Sequence, residues 1–215
     1  MARPVPPYLP YLVWLLLALA WGASWSVLKV AFRDVGPFAM LGARMGLASL
    51  ACAIWALLDG GLRFPPRGSR RWLALAMVGQ GFLMNALLFW GGSRLDSGLT
   101  GLLFATTPLF AAAGATAFGY EQVRPRTLAG IGVGLAGLGL VVGPALQGRL
   151  DAPGVFAILG AALVCGLTAA LIKHHSVGWH IPSVLALQFA LNAGFGLLLH
   201  HATGEAPARW TPTAL

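Results

Sequence analysis

Long apolar stretches separated by short polar connections dominate the chain. Most of them contain the roughly 20 residues that an α-helix needs to cross a hydrocarbon core about 30 Å thick. None alternates apolar and polar residues as the strands of a membrane β-barrel do. The pattern predicts an all-α polytopic membrane protein with about seven transmembrane helices. They lie near 11–31, 37–58, 72–92, 97–118, 127–143, 152–172 and 182–200.

The composition of the chain also indicates that lipid surrounds these stretches. Of 215 residues, 58% are hydrophobic and 9% are charged, and the mean hydropathy is +0.77. A soluble domain usually has about 25% charged residues, so this chain has few charges with which to cover a surface in water. The net charge of +8 lies in short connections, without the basic and aromatic patches typical of nucleic-acid binding. We expect membrane lipid, and no nucleic acid, as a partner.

Lysines and arginines in the connections predict the orientation of the chain. A cytoplasmic N-terminus places eight of them inside, four of these between Arg63 and Arg71, and leaves five outside. We therefore expect a multi-pass protein of the inner (cytoplasmic) membrane with its N-terminus in the cytoplasm. The first stretch imitates a cleavable signal peptide up to Ala20, but its apolar character continues to Ala31. That length favours a retained first helix.

Two parts of the chain are similar to each other. A shift of 144 residues pairs Gly22 with Gly166 and Lys29 with Lys173. Five predicted helices precede the second copy, and an odd number inserts two copies in opposite orientations, as in the inverted repeats of secondary transporters. The alternative is that any two apolar helices align this well. The repeat predicts a complete five-helix unit at 8–143 and an incomplete second unit, with two helices, at 152–215.

Several short motifs follow one another in a characteristic order and spacing. In chain order they are Trp21-Gly22-Ala23-Ser24-Trp25 with Lys29, Pro37, Arg44, Ala86-Leu87, Thr107-Pro108-Leu109, Glu121, and Gly130 with Gly137. Together they resemble an EamA-type permease of the drug/metabolite transporter superfamily. The resemblance covers about 8–143 closely and 152–215 more weakly.

This resemblance implies ten helices in two inverted five-helix units, a central substrate cavity and no cofactor. Members of the family export, or in some cases import, amino acids and other small metabolites. The chain departs from the family pattern at Tyr120, where a glycine usually precedes the glutamate of helix four. It also lacks counterparts of the last three helices, as a truncated chain would.

Five residues in or beside the apolar stretches are the predicted substrate-binding residues. Arg44 lies about 10 Å into the second helix, where a charge costs about 2.5–3.5 kcal/mol on insertion scales; it either faces a cavity or snorkels to the outer interface. Lys29 and Arg33 together form a positively charged entrance that attracts a substrate carboxylate, or Lys29 anchors the first helix at the membrane interface. Ser24 and Asn85 can offer hydrogen bonds to a solute, and Trp25 can offer it a flat apolar face. Asn85 equally suits hydrogen bonding between helices. The five are Ser24, Trp25, Lys29, Arg44 and Asn85.

The predicted function is a permease that moves small metabolites, amino acids or related compounds, across the membrane by alternating access, with efflux as the usual direction. We predict no metal and no enzymatic activity, because the histidines lack the spacing of a metal motif and no Ser, His and acid group together at membrane depth. Glu121 is predicted to form a loop ion pair with Arg124 or Arg126. A homodimer or the missing helices would complete the second unit. The alternatives are a non-transporting fragment and an intramembrane enzyme.

Overall fold

The chain folds into a bundle of long helices. A computed structural model describes residues 8–122, 124–142 and 151–208. In these residues the helices are α1 (Leu9–Ala31), α2 (Pro37–Leu58), α3 (Arg67–Arg94), α4 (Ser97–Ala117), α5 (Pro125–Val142), α6 (Ala152–His175) and α7 (Ile181–Ala202), and no strand occurs. The second predicted unit is described up to residue 208, and its last residues lie outside the described part.

Six of the described helices, all except α5, are long and apolar enough to cross a membrane. Large apolar side chains cover their outward faces; Trp14 of α1 is 69% exposed, Leu47 of α2 71% and Phe156 of α6 72%. Such a surface fits contact with lipid rather than water. The prediction of an all-α polytopic membrane protein is confirmed. The seventh crossing, at 127–143, stays a prediction, although α5 has 18 residues and spans about 27 Å.

Successive helices run in alternating directions, so their connections gather at two ends of the bundle. We call the end formed by 32–36, 95–96, 151 and 203–208 the outer end, after the predicted orientation. The inner end comprises 59–66, 118–122, 124 and 176–180. At the outer end Arg94 Nη1 lies 3.0 Å from Asp151 Oδ2. At the inner end the indole N–H of Trp179 donates to Ser69 Oγ over 2.9 Å.

Glycines make the closest helix crossings possible. A Cβ at Gly196 of α7 would lie 2.7 Å from the backbone nitrogen of Gly42 in α2, and one at Gly166 of α6 would lie 2.6 Å from the backbone nitrogen of Ala111 in α4. Small residues at such points let helix backbones approach closely in a membrane. Gly22, the predicted repeat counterpart of Gly166, has open space where its Cβ would be. The two related glycines therefore have different surroundings.

The segment after α7 returns to the start of α2. Glu205 accepts a hydrogen bond from the backbone N–H of Phe38 over 3.0 Å and from that of Ala39 over 3.1 Å. These amides belong to the first turn of α2, which has no partners within its own helix for them. His200 Nδ1 lies 2.9 Å from the same carboxylate, and a Cβ at Gly36 would lie 2.5 Å from it. Glu205 thus joins the outer ends of α2 and α7.

Candidate substrate site

A cavity of about 380 Å³ opens between α1, α2 and α3, with one residue each from α4 and α6 at its edge. Small-molecule pockets usually measure about 300–1,000 Å³, so this one suits a small metabolite. Its wall is mostly apolar, with a few polar groups that converge on it. Its lining residues include Trp21, Ser24, Trp25, Arg44, Gln80, Asn85, Phe104 and Cys165.

The cavity collects four of the five predicted substrate-binding residues. Ser24 and Trp25 reach it from α1, Arg44 from α2 and Asn85 from α3. These positions are separated by up to 61 residues in the sequence, and the helix packing brings them to the same cavity. The convergence supports the prediction, while the binding role of each residue stays a prediction.

The aromatic wall is built by α1 and α4. The rings of Trp25 and Phe104 lie 5.8 Å apart, centroid to centroid, in a tilted arrangement. Gly101 lies beside the indole, since a Cβ there would lie 3.4 Å from the indole nitrogen of Trp25, in ordinary van der Waals contact. The hydroxyl of Ser24 donates to the backbone carbonyl of Trp21 over 2.7 Å. Its oxygen is therefore left to act as an acceptor toward a solute.

An irregular part of α3 forms the polar wall. Residues Met77–Leu83 make π-helical turns, which are rare and often occur at functional sites. The carboxamide nitrogen of Asn85 donates to the carbonyls of Gln80 and Gly81, at 3.0 Å each. These bonds use both of its N–H groups, so the carboxamide oxygen is the part that a solute can reach.

Arg44 supplies the charge of the cavity. It is the one charged residue among those that line it. Its side chain is exposed and makes no hydrogen bond or ion pair with the part of the chain that the structure describes. The structure therefore favours the cavity-facing alternative for Arg44.

Lys29 lies apart from the other four predicted residues. Its ammonium donates to the backbone carbonyls of Ser93 over 3.0 Å and Leu95 over 2.6 Å. These carbonyls lie at the end of α3, where helix carbonyls lack partners and a positive charge is favoured. The contact favours the anchoring alternative for Lys29 over a positive mouth formed with Arg33.

Sequence reasoning missed several residues near this site. Gln80 lines the cavity and donates to Cys165 Sγ over 3.9 Å; as a polar residue inside an apolar stretch, it carried a signal that could have found it. Asn192 of α7 is fully buried, and neither of its carboxamide atoms has a hydrogen-bond partner. A Cβ at Gly81, within the π-helical turns, would lie 3.6 Å from the carboxamide nitrogen of Asn192.

A second cavity of about 380 Å³ lies at the inner end, between α4 and α6. Its charges are already matched, because Lys173 Nζ lies 2.6 Å from Glu121 Oε1. Glu121 therefore pairs with Lys173, and not with the predicted Arg124 or Arg126, since α6 ends beside the loop that follows α4. The ring of Tyr120 stacks on that of His174 at 4.0 Å. Of the two cavities, this one leaves fewer charged groups unpaired and able to bind a solute.

The chain is similar to a transporter family and to two curated proteins over part of its length. A model of the EamA-like transporter family matches residues 9–143. An uncharacterized transporter of Buchnera aphidicola subsp. Schizaphis graminum is 26% identical over 98 residues, which are 46% of this chain and 33% of that protein. Protein PagO of Salmonella typhimurium is 25% identical over 128 residues, 59% of this chain and 42% of PagO. The matches thus span less than half of either relative, and no solved structure matches the chain.

Proposed function

Because this chain belongs to the EamA-like transporter family, we propose that it binds a small organic metabolite in the cavity around Trp25 and Arg44 and moves it across the cytoplasmic membrane. Amino acids and related compounds are the first solutes to test. The main support for this proposal is the cavity and the charged residue that lines it. A bundle with a purely structural role would gain nothing from a charged residue at membrane depth, whereas ionisable groups there commonly mark a solute pathway.

Alternating access is the proposed mechanism. A solute would enter the cavity from one end, and the helices around it would then close that end and open the other. The π-helical turns of Met77–Leu83 support such a change, because this segment departs from regular α-helical bonding. The homodimer or additional helices predicted to complete the second unit belong to the same proposal.

The proposed orientation is testable in the same way. Four arginines, at 63, 67, 70 and 71, lie exposed at or beside the inner end, which supports a cytoplasmic position for this end. A reporter enzyme active only outside the cytoplasm should be inactive when inserted at Gly61 and active when inserted at Gly204. The opposite pattern would overturn the proposed orientation.

A flux assay in liposomes tests the function itself. Purified protein would be reconstituted, and uptake of amino acids, related carboxylic acids and other small metabolites would be followed. Trp25→Ala should lower the flux of a transported solute about tenfold, because loss of an aromatic contact of about 1.4 kcal/mol changes a rate or affinity by that factor. Trp14→Ala is the matched control, since Trp14 lies on the same helix and is 69% exposed on the outside; its flux should stay within about twofold of wild type.

Two outcomes would overturn the proposal at different levels. Absence of flux for every solute tested would favour the non-transporting alternative. Flux that falls equally in Trp25→Ala and Trp14→Ala would place the solute pathway elsewhere.

A further inference from the structure

The cavity around Arg44 carries an uncompensated positive charge. Arg44 alone is charged among the residues that line it, and no aspartate or glutamate is among them. A guanidinium keeps its proton in proteins. The site therefore has a net charge of one sign before any solute enters.

Three other basic residues, each in the last turn of a described helix, serve as a comparison for Arg44. Arg94 pairs with Asp151 at 3.0 Å, and Lys173 pairs with Glu121 at 2.6 Å. Lys29 donates to two carbonyls at the end of α3. Each of these groups has a partner supplied by the fold. Arg44 has none within the described residues, so a bound anion would supply the missing one.

The geometry of a guanidinium narrows the kind of anion. Its planar N–H groups bind a carboxylate through two parallel hydrogen bonds. Apart from Ser24, Gln80 and Asn85, the other lining residues are mostly apolar or aromatic, and they include Trp25 and Phe104 at 5.8 Å from each other. That wall suits an apolar or aromatic body, and 380 Å³ limits its size.

An ammonium group fits this site poorly. In an α-amino acid the ammonium is bonded to the carbon next to the carboxylate, so a carboxylate bound to Arg44 brings it within about 5 Å of the guanidinium. Like charges at that distance repel strongly at the dielectric of a protein interior. No carboxylate lines the cavity to offset this repulsion. The oxygens of Asn85 and Ser24 accept hydrogen bonds, but they offer a dipole and no full negative charge.

We infer that the cavity selects small organic monoanions, with the acid group on Arg44, the apolar body against Trp25, and no ammonium group. The inference rests on the proposed function and names its substrate class. It narrows the predicted class of amino acids and related compounds to carboxylic acids that fit a cavity of about 380 Å³.

A series of four phenyl compounds tests this preference, because they share one body and differ in charge. They are 3-phenylpropionate, phenylalanine, 3-phenylpropionamide and 2-phenylethylamine. Binding to the detergent-solubilised chain and flux in liposomes should both favour 3-phenylpropionate at least about tenfold over each of the others. Arg44→Gln should remove that preference, whereas Arg44→Lys should retain part of it, since it keeps the charge without the planar fork. Arg67→Gln, at the inner end, is the control and should leave the preference unchanged.

The outcomes separate this inference from the proposed function. Transport without a preference for the anion, or a preference that survives in Arg44→Gln, would overturn the inference and leave the transporter function intact. Absence of flux for this series and for every other solute would overturn both. If Arg44→Gln does not yield folded protein by size-exclusion chromatography, the wild-type ranking of the four compounds and Arg44→Lys decide the matter alone.

Discussion

Replacing Gly166 by alanine tests the tightest part of the bundle, where α6 crosses α4. A Cβ at this position would lie 2.6 Å from the backbone nitrogen of Ala111 and 2.7 Å from Cβ of Phe110. Ordinary contacts of a Cβ begin at 3.4 Å. Backbone atoms cannot rotate away as the end of a long side chain can. The two helices must therefore separate by about 1 Å to accept one methyl group.

Two opposing effects set the size of the loss. Overpacking of this kind typically costs about 1–3 kcal/mol. Alanine favours a helix over glycine by up to about 1 kcal/mol, which offsets part of the cost. We expect Gly166→Ala to lower the free energy of unfolding by about 0–2 kcal/mol, and so by about 1–3 kcal/mol relative to an alanine substitution at an unhindered helical glycine.

Gly22→Ala is the matched control, because Gly22 is the predicted repeat counterpart of Gly166 and has open space at its Cβ. Its stability should be unchanged or raised by up to about 1 kcal/mol. Both variants can be compared with wild type by titrating mixed micelles with sodium dodecyl sulfate and following helical circular dichroism. If Gly166→Ala proves as stable as Gly22→Ala, the close crossing of α4 and α6 is refuted.

Two further predictions concern polar groups. Asn192→Leu should raise the free energy of unfolding by about 1–3 kcal/mol in the same titration, since it removes a buried carboxamide without partners; a lower value would show that native Asn192 is hydrogen-bonded. The Arg94 guanidinium, aided by the backbone N–H of Gly154, holds the pKa of Asp151 below its ordinary 3.8. Wild type should therefore unfold at a higher temperature than Asp151→Asn at neutral pH, and this difference should disappear as the pH falls below 3.8. A difference that persists in acid would contradict this linkage.

The positions of the helices could be predicted because lipid imposes a length and an apolar character on each. The stretch predicted at 37–58 is α2, Pro37–Leu58, and its start at a proline is typical of a first helical turn. α3 begins at Arg67, five residues before the predicted stretch, because its first turns are polar and stand outside the apolar pattern. Its π-helical turns were not predictable, since they depend on neighbours such as Thr168 of α6, which a Cβ at Gly79 would contact.

The candidate site could be predicted in part for a similar reason. Arg44 and Asn85 stand out because polar groups are rare at membrane depth, and both line the cavity. The sequence could not decide between the two roles predicted for Lys29, because its flexible side chain reaches carbonyls 64 and 66 residues away. No local spacing reveals such a partner. Asn192 shows the reverse case, where burial without a partner becomes visible only after α7 has packed.

The bond between Glu205 and the first turn of α2 has a consequence for the order of events during synthesis. The carboxylate lies 167 residues after the amide of Phe38 that it binds. A ribosome that adds about 5–20 residues per second takes roughly 10–30 s to cover that distance. Until Glu205 is made, the first turn of α2 lacks the carboxylate that its amides bind in the folded chain. We therefore expect α2 and α7 to reach their final packing last. With one cysteine introduced into α7 opposite α2, a chain ending at Ala202 should insert both helices yet form the cross-link between them more slowly than one ending at Ala208.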